Sequence, residues 1–353
     1  MRTDLFDYDL PPERIAQTPL PRGESRLLVL HRGEGRIEHR RFSDLPAYLR
    51  PGDTLVLNDT RVTARRLEAR REGGLSAEVV LLHPVGDTCW AAIVRPGRAL
   101  RPGKTLTLIG PNSQAPVTAR VVATTPEGGR ILDVGDPVAR DALAGWGVAP
   151  LPPYINTPLP PEQEERYQTV YATYDGSAAA PTAGLHFTEE MLAAAEAMGV
   201  RQARLTLHVG IATFRPVRTE EIEAHEMHAE TVSLPPEAAE IINTTTGRVI
   251  AVGTTCVRAL ETAGKFAEGS RLDAGNLPGP RVVPFAGETH LFISPGYHFR
   301  VVDAMITNFH LPRSTLLMLV SAFAGRETVL RAYQEAIAEG YRFFSFGDAM
   351  LIL

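Results

Sequence analysis

Only two of the 353 residues are cysteines, Cys89 and Cys256, and they stand in segments of different character. That argues against a disulfide framework or a thiolate zinc site and fits a reducing compartment. Each reads as a small buried hydrophobe. Long apolar runs are missing as well. The longest, Leu316 to Ala324, is interrupted by Ser321 and falls far short of the ~20 residues a membrane helix needs. The chain is charged from Arg2 onward and opens without a signal-peptide pattern. A cytoplasmic protein with no membrane association is expected. Lysine is nearly absent, since arginine supplies all but Lys104 and Lys265 of the 36 basic residues. Arginine suits bidentate phosphate contacts, but genome composition or heat adaptation explains the bias as well, so no function is read from it.

What is present allows a substantial core. A chain of this length with 44% hydrophobic residues suggests two domains rather than one. The net charge of −5 disfavours a nucleic-acid partner on its face, yet residues 60–104 hold nine basic side chains against four acidic ones, so that segment is +5 and the remainder −10. Arg61, Arg65, Arg98 and Arg101 in it are candidates for docking a phosphate backbone, the other reading being a solvated β-domain surface.

Short strands are predicted at Leu55–Leu57, Ala77–Leu82, Cys89–Val94, Thr105–Ile109, Val117–Val122 and Arg130–Val134, separated by Pro-Gly and Gly-Gly turns. Such spacing without a long helical pattern indicates a small β-barrel or sandwich. Six prolines between 150 and 161 mark a boundary. Beyond it strand and helix alternate, the signature of an α/β layer or barrel. Thr188 caps a helix that ends near Gly199, and strands are expected at Ala203–Val209, Val249–Val252, Leu291–Ser294, Arg300–Ile306 and Tyr341–Phe346. Further helices follow Pro235-Pro236 and span Cys256–Phe266, Ser314–Ala324 and Glu327–Glu339.

Five of the ten histidines fall in polar, glycine- or proline-framed blocks that packing alone does not require. These are Ala180-Pro-Thr-Ala-Gly-Leu-His-Phe187, Thr206-Leu-His-Val-Gly-Ile-Ala-Thr-Phe-Arg-Pro-Val217, His225-Glu-Met-His-Ala-Glu230, Gly253-Thr-Thr-Cys-Val-Arg-Ala-Leu-Glu261 and Thr307-Asn-Phe-His-Leu-Pro312. Histidine moves protons near neutral pH, so the clustering points to an active site. Thr182, Gly184 and His186 frame a small-residue turn that a flat ligand can approach. His208, with Gly210 close behind, follows a strand, and Asn308 and His310 precede a helix. Gly253, Thr254 and Thr255 lead from a strand into a helix, where free N–H groups favour an anion, although a well-capped helix after a core strand reads the same. His225 and His228 are three apart, whereas a zinc-protease helix needs four, so these two and Glu230 read as acid–base or hydrogen-bonding groups and no metal is expected. His31, His39, His83, His290 and His298 lack such framing and are taken as surface or packing residues. Tyr341–Phe346 is taken as a core strand.

The blocks, in this order, resemble the family of S-adenosylmethionine:tRNA ribosyltransferase-isomerases of the queuosine pathway, from Asp4-Leu-Phe-Asp-Tyr-Asp-Leu-Pro-Pro-Glu-Arg-Ile-Ala-Gln17 to Tyr341-Arg-Phe-Phe-Ser-Phe-Gly-Asp-Ala-Met350. Two departures are Ala212, where the family usually has glycine, and Cys256, where serine is common. The resemblance implies an α/β fold: an α/β-barrel-like catalytic domain from residues 1–60 and 150–353, with an all-β barrel inserted at 61–149. It implies S-adenosylmethionine as co-substrate, and as partner a tRNA carrying 7-aminomethyl-7-deazaguanine (preQ1) at the wobble position. No obligatory protein partner is implied, and a monomer is expected. The anion at the helix start is then the methionyl carboxylate or a tRNA phosphate, with Arg258 as a second contact. Two other classes compete: a metal-dependent hydrolase using His186, His208, His225 and His228, and an RNA-binding module whose β-domain does the work.

Overall fold

A computed structural model describes residues 1–111, 114–126, 128–210, 217, 219–274 and 279–353. The chain opens with β1 (Arg26–His31), β2 (Arg36–Arg41), β3 (Thr54–Asn58) and the short β4 (Thr60–Val62). Six strands then close a barrel: β5 (Arg65–Arg71), β6 (Ser76–Val85), β7 (Cys89–Arg95), β8 (Thr105–Leu108), β9 (Val117–Thr124) and β10 (Arg130–Asp133), bonded in the order β10-β7-β6-β5-β8-β9. After helix α1 (Pro137–Ala142) come β11 (Tyr174–Ser177), α2 (Glu189–Ala197), β12 (Arg201–Leu207), β13 (Glu230–Leu234), α3 (Pro236–Asn243), β14 (Val249–Val252) and α4 (Thr254–Ala274). The chain ends with β15 (Phe285–Thr289), β16 (Ala304–Asn308), α5 (Thr315–Ala324), α6 (Arg326–Ala338) and β17 (Ala349–Ile352). Among the described residues no helix is long and apolar enough to cross a membrane.

The larger part is built on one nine-stranded mixed sheet, ordered β15-β13-β12-β3-β14-β16-β17-β1-β2. Its central strands are short apolar runs buried on both faces, as strands covered by helices must be. Along β3, Leu55 and Leu57 pack with Phe42, Leu45, Leu192 and Ala195 on one side, while Val56 faces the opposite layer, which takes in Leu260, Leu317 and Tyr333. Strands β14 and β16 alternate in the same way, so the sheet lies between α3 to α6 on one face and α2 with the Phe42–Tyr48 turn on the other. The α/β-barrel-like form implied by the resemblance is here an α/β sandwich around a single sheet with β15 and β2 at its edges.

The barrel has its own core, from Leu67 and Ala69 of β5 through Val79, Trp90, Leu106 and Val121 to Leu132. Its first strand reads Arg-Arg-Leu-Glu-Ala-Arg-Arg and shows no apolar run, so composition hides it; only Leu67 and Ala69 turn inward. The chain enters and leaves the barrel side by side, because Arg66 and Val148 exchange backbone hydrogen bonds of 2.7 and 3.1 Å. The proline-rich return then packs Leu151, Ile155 and Leu159 against Tyr167 and Phe346.

Helix signals match closely: Thr188 caps α2 by accepting from the Met191 N–H at 3.1 Å, and Ser314 caps α5. Two expected strands move. Leu291–Ser294 is irregular and the strand lies earlier, at β15. Tyr341–Phe346 is core but not strand, because Phe344 takes a left-handed φ of 70° that breaks an extended run, and pairing resumes only at β17. Cys256 is buried as expected, whereas Cys89, at the first position of β7, is only half-buried.

One carboxylate ties the helical layer to the sheet. Glu261 on α4, fully buried, accepts from the backbone N–H groups of Arg300, Val301 and Val302 at 2.9–3.1 Å and from the Tyr297 hydroxyl at 3.2 Å. Glu261→Gln puts an N–H donor among these donors, and a loss of roughly 2–4 kcal/mol in unfolding free energy is expected. Urea denaturation measures it, and an unchanged midpoint would show that this segment holds without the charge.

Candidate functional site

Strands β12, β3, β14 and β16 run parallel, so their carboxyl ends collect at one edge of the sheet, where α/β proteins commonly bind ligands. Asn58, His208, Gly253 and Asn308 stand at or just past those four ends. The block at 180–187 crosses the same edge, since Thr182 Oγ1 donates to Asn308 Oδ1 at 3.2 Å.

Asn58 and Thr60, which the sequence reading passed over, organise this edge. The Asn58 side chain donates to the Leu207 carbonyl and accepts from the Leu207 N–H, both at 3.0 Å, and it reaches Thr255 Oγ1 at 3.3 Å. Thr60 Oγ1 lies 2.7 Å from His208 Nδ1. The face of the His208 ring rests on Gly176, where φ is 138° and a Cβ would come within 3.0–3.2 Å of three ring atoms, so only glycine fits. Asp59 between them is buried and takes a 2.7 Å hydrogen bond from Thr206; burial raises its pKa. The available signal was an apolar strand ending in three consecutive polar residues, Asn-Asp-Thr.

The predicted site residues separate into two groups. His186 is 4% exposed and stands behind the edge, with Nδ1 2.8 Å from Ser25 Oγ and Nε2 3.1 Å from Asn308 Nδ2. Burial pushes its pKa down to about 3, and that of His310 likewise. His310 keeps Nε2 2.8 Å from Thr307 Oγ1. Space beside Gly184 is filled by Tyr171 rather than by a cavity. Thr182, Gly253, Thr254, Thr255, Asn308 and His310 line a small cavity of about 80 Å³, onto which the N-terminal ends of α4 and α5 both open. Gly253 has φ 91°, the left-handed turn that starts α4.

The second group meets the barrel. A cavity of about 360 Å³ lies between its outer wall (Leu82, Ile93, Ile131) and His225, His228 and Glu230, with Gly210 and Arg258 also in its lining. Glu230 and Arg258 are 6% and 5% exposed and form a buried ion pair. Glu230 also accepts from the Gly210 N–H at 3.3 Å, and Arg258 Nε donates to the Leu291 carbonyl at 3.0 Å. Arg258 is thus inside this cavity and not at the anion-receptive start of α4. Burial lowers the pKa of His225, with the neighbouring His228 adding to the effect; burial also lowers His208, against the pull of Asp175. His83, taken from sequence as packing, faces both this cavity and an adjoining one of about 670 Å³.

Arg61 and Arg65 open onto that larger cavity. They face Glu165 at 3.4 Å and Glu164 at 3.0 Å, so part of the positive charge counted along 60–104 is met by acids a hundred residues away. Arg98 and Arg101 are exposed on the β7–β8 loop and line none of the three cavities. Among the described residues no three His, Cys, Asp or Glu side chains converge to ligate a metal ion: of the four histidines of the hydrolase reading, His225 and His228 share the barrel-side cavity while His186 and His208 stand apart from them. Ala212 lies outside the described residues.

An α/β sheet edge lined with histidines and covered by a β-barrel defines an enzyme-like cleft. The queuosine biosynthesis protein family matches residues 3–352. A relative from Symbiobacterium thermophilum named S-adenosylmethionine:tRNA ribosyltransferase-isomerase is 52% identical over the full length of both chains, and one of the same name from Thermus thermophilus is 52% identical over 99% of each. The crystal structure of S-adenosylmethionine tRNA ribosyltransferase from Thermotoga maritima is 39% identical, with a TM-score of 0.53 over 99% of this chain and all of that one. The chain belongs to the queuosine biosynthesis protein family.

His186 makes the fold acid-sensitive. Its pKa falls from 6.5 to about 3 on folding, so its contribution is intact above pH 6.5 and is lost as pH drops, when the unfolded chain takes up a proton the folded chain refuses. About 2 kcal/mol is expected to disappear between pH 6.5 and pH 5 from this group. Denaturation of wild type and His186→Gln at pH 7 and pH 5 tests this: the variant is expected to lose less on acidification, and equal losses would remove His186 as the source.

Proposed function

We propose that this protein transfers and isomerises the ribosyl group of S-adenosylmethionine onto preQ1 at the wobble position of tRNA, giving epoxyqueuosine and releasing adenine and methionine. The observation that carries this reading is the meeting of Thr182, His208, Gly253 and Asn308 at one sheet edge, with His225, His228 and Glu230 facing the barrel in a second cavity, in a chain of this family. The protein acts in the cytoplasm as a monomer, with the barrel of residues 61–149 as an inserted domain.

The chemistry asks for proton transfer more than for a nucleophile. The sulfonium acidifies the adjacent 5′ carbon of the ribose, so a base placed there removes a proton; adenine leaves when an acid protonates its ring; and the amine of the base attacks the rearranged sugar. His208, His225 and His228 line or adjoin the cleft. His208 and His225 have pKa values lowered by burial and are neutral at pH 7, as a base must be. His186 acts through Asn308, and His310 with Thr182, Gly253, Thr254 and Thr255 shapes the small polar cavity beside it. Arg61, Arg65, Arg98 and Arg101 contact the tRNA backbone.

Incubation with ribose-labelled S-adenosylmethionine and tRNA bearing preQ1 is expected to release adenine and to leave label in the tRNA only when that base is present. No adenine and no label from folded protein with bound tRNA would defeat the reading. His225→Ala is expected to abolish turnover with tRNA binding largely kept; unchanged turnover would remove His225 from the catalytic set.

Thr60 is expected to be a positioning residue for His208. Thr60→Val lowers kcat by roughly tenfold or more, while Thr60→Ser restores it. In wild type the acid limb of kcat/KM is expected at lower pH than an unperturbed imidazole would give, because burial depresses the pKa of the base. A Thr60→Val enzyme with wild-type kcat and an unchanged acid limb would leave Thr60 with a packing role only.

A further inference from the structure

Strand β6 changes faces where it reaches the cleft. Ala77, Val79 and Leu81 point into the barrel core, and a regular alternation would send His83 inward as well. The ladder slips instead: Leu81 lies opposite Ala92 and His83 opposite Ala91, which leaves Leu82 as an extra residue without a partner of its own. Such a bulge re-aims the side chains that follow it. Ala92 belongs to the barrel core, whereas His83 and Ala91 share the outer face and both line the cavity of about 360 Å³, across from His225 and His228. His83 also lines the adjoining cavity of about 670 Å³, so its imidazole stands where the two meet. The side chain is exposed, and no described residue hydrogen-bonds to its ring. His186, His208 and His310, by contrast, are held by Ser25, Thr60 and Thr307.

We propose that His83 is a further catalytic residue, the acid that protonates adenine as it leaves S-adenosylmethionine, with the purine held in the smaller of these two cavities. The assignment rests on the donor reading above and adds a residue that the barrel contributes to it. That reading needs a base at C5′ and an acid at the purine, at opposite ends of the ribose, so the two groups must stand apart. His225, whose pKa burial lowers, suits the base, and His83 faces it from the other wall. Ile93 and Ile131 on the barrel and Met227 and Leu316 opposite give apolar walls for a flat, uncharged ring. The aminomethyl base of the acceptor is a cation and suits the larger cavity better, where Glu162 and Asp175 are in the lining. In the step itself an imidazolium N–H bond breaks and its proton passes to a ring nitrogen of adenine. The glycosidic bond breaks with its electron pair going to the purine, and the pair freed by the base at C5′ makes good the loss at the sugar. Neutral His83 then regains a proton from water on its exposed side.

The test follows release of the purine in the presence of preQ1-tRNA from S-adenosylmethionine and from its 2-fluoroadenine counterpart, whose base departs more readily without a proton. His83→Gln is expected to slow release from S-adenosylmethionine by roughly a hundredfold or more and to leave half-saturation by tRNA near the wild-type concentration. The variant is also expected to lose the basic limb of the wild-type pH profile and to recover most of the rate with the fluorinated donor. A wild-type rate in folded His83→Gln, a defect confined to half-saturation by tRNA, or an equal loss with both donors overturns the assignment. If His83→Gln does not fold, wild type alone decides: the rate advantage of the fluorinated donor is expected to grow as pH rises, and a ratio that stays constant with pH overturns the proposal. Absence of purine release from either donor with wild type defeats the donor reading itself, a different result from a change in rate.

Discussion

Parallel strands are held together only as far as their ladders extend, and at the working edge of this sheet the ladder between β3 and β12 is extended by a side chain. Asn58 presents a donor and an acceptor to the backbone of Leu207 as a strand residue would, and its amide also touches Thr255 at the start of α4. His208 is the next residue after Leu207, so one buried amide fixes where a candidate base begins. Isosteric replacement cannot serve here, because leucine would bury the Leu207 N–H and carbonyl without partners.

Buried charge is used as a connector throughout the molecule. Asp53, at the foot of β3, binds the guanidinium and N–H of Arg248 at the foot of β14, Glu261 collects the segment at 297–302, and Glu230 joins the start of β13 to α4 through Arg258. Each carboxylate has its acceptor sites filled by groups from another element, which is the condition for a buried charge to hold a structure in place. Arg258 departs from this rule at Nη2, which is buried and finds no acceptor among the described residues.

Much of the fold was legible because local signals and tertiary context agree. Thr188 and Ser314 cap the helices they were expected to cap, and the Val249–Val252 run is a central strand. His208, Gly253 and Asn308 are close in space because the ends of parallel strands emerge at one edge, whereas the 225–230 block leads into an antiparallel strand and lies against the barrel. What escaped depended on distant partners. The strand at Arg65–Arg71 hides behind its charges, with only Leu67 and Ala69 facing the barrel core. Tyr341–Phe346 has the composition of a strand, but Phe344 turns left-handed. His83 becomes a cleft residue only because the barrel wall is laid against the sheet. Asn58, Asp59 and Thr60 carry neither glycine nor histidine and read as the plain end of an apolar strand, and the charges of Arg61 and Arg65 are met by Glu165 and Glu164, which only the fold brings beside them.

The paired crossing at Arg66 and Val148 makes the barrel a cassette. Both chain connections pass through one point, so the strands and turns beyond it can change length or charge without shifting the register of any strand in the nine-stranded sheet. The wall that faces the cleft is therefore a surface that evolution can retailor while the histidine-bearing edge opposite it stays as it is.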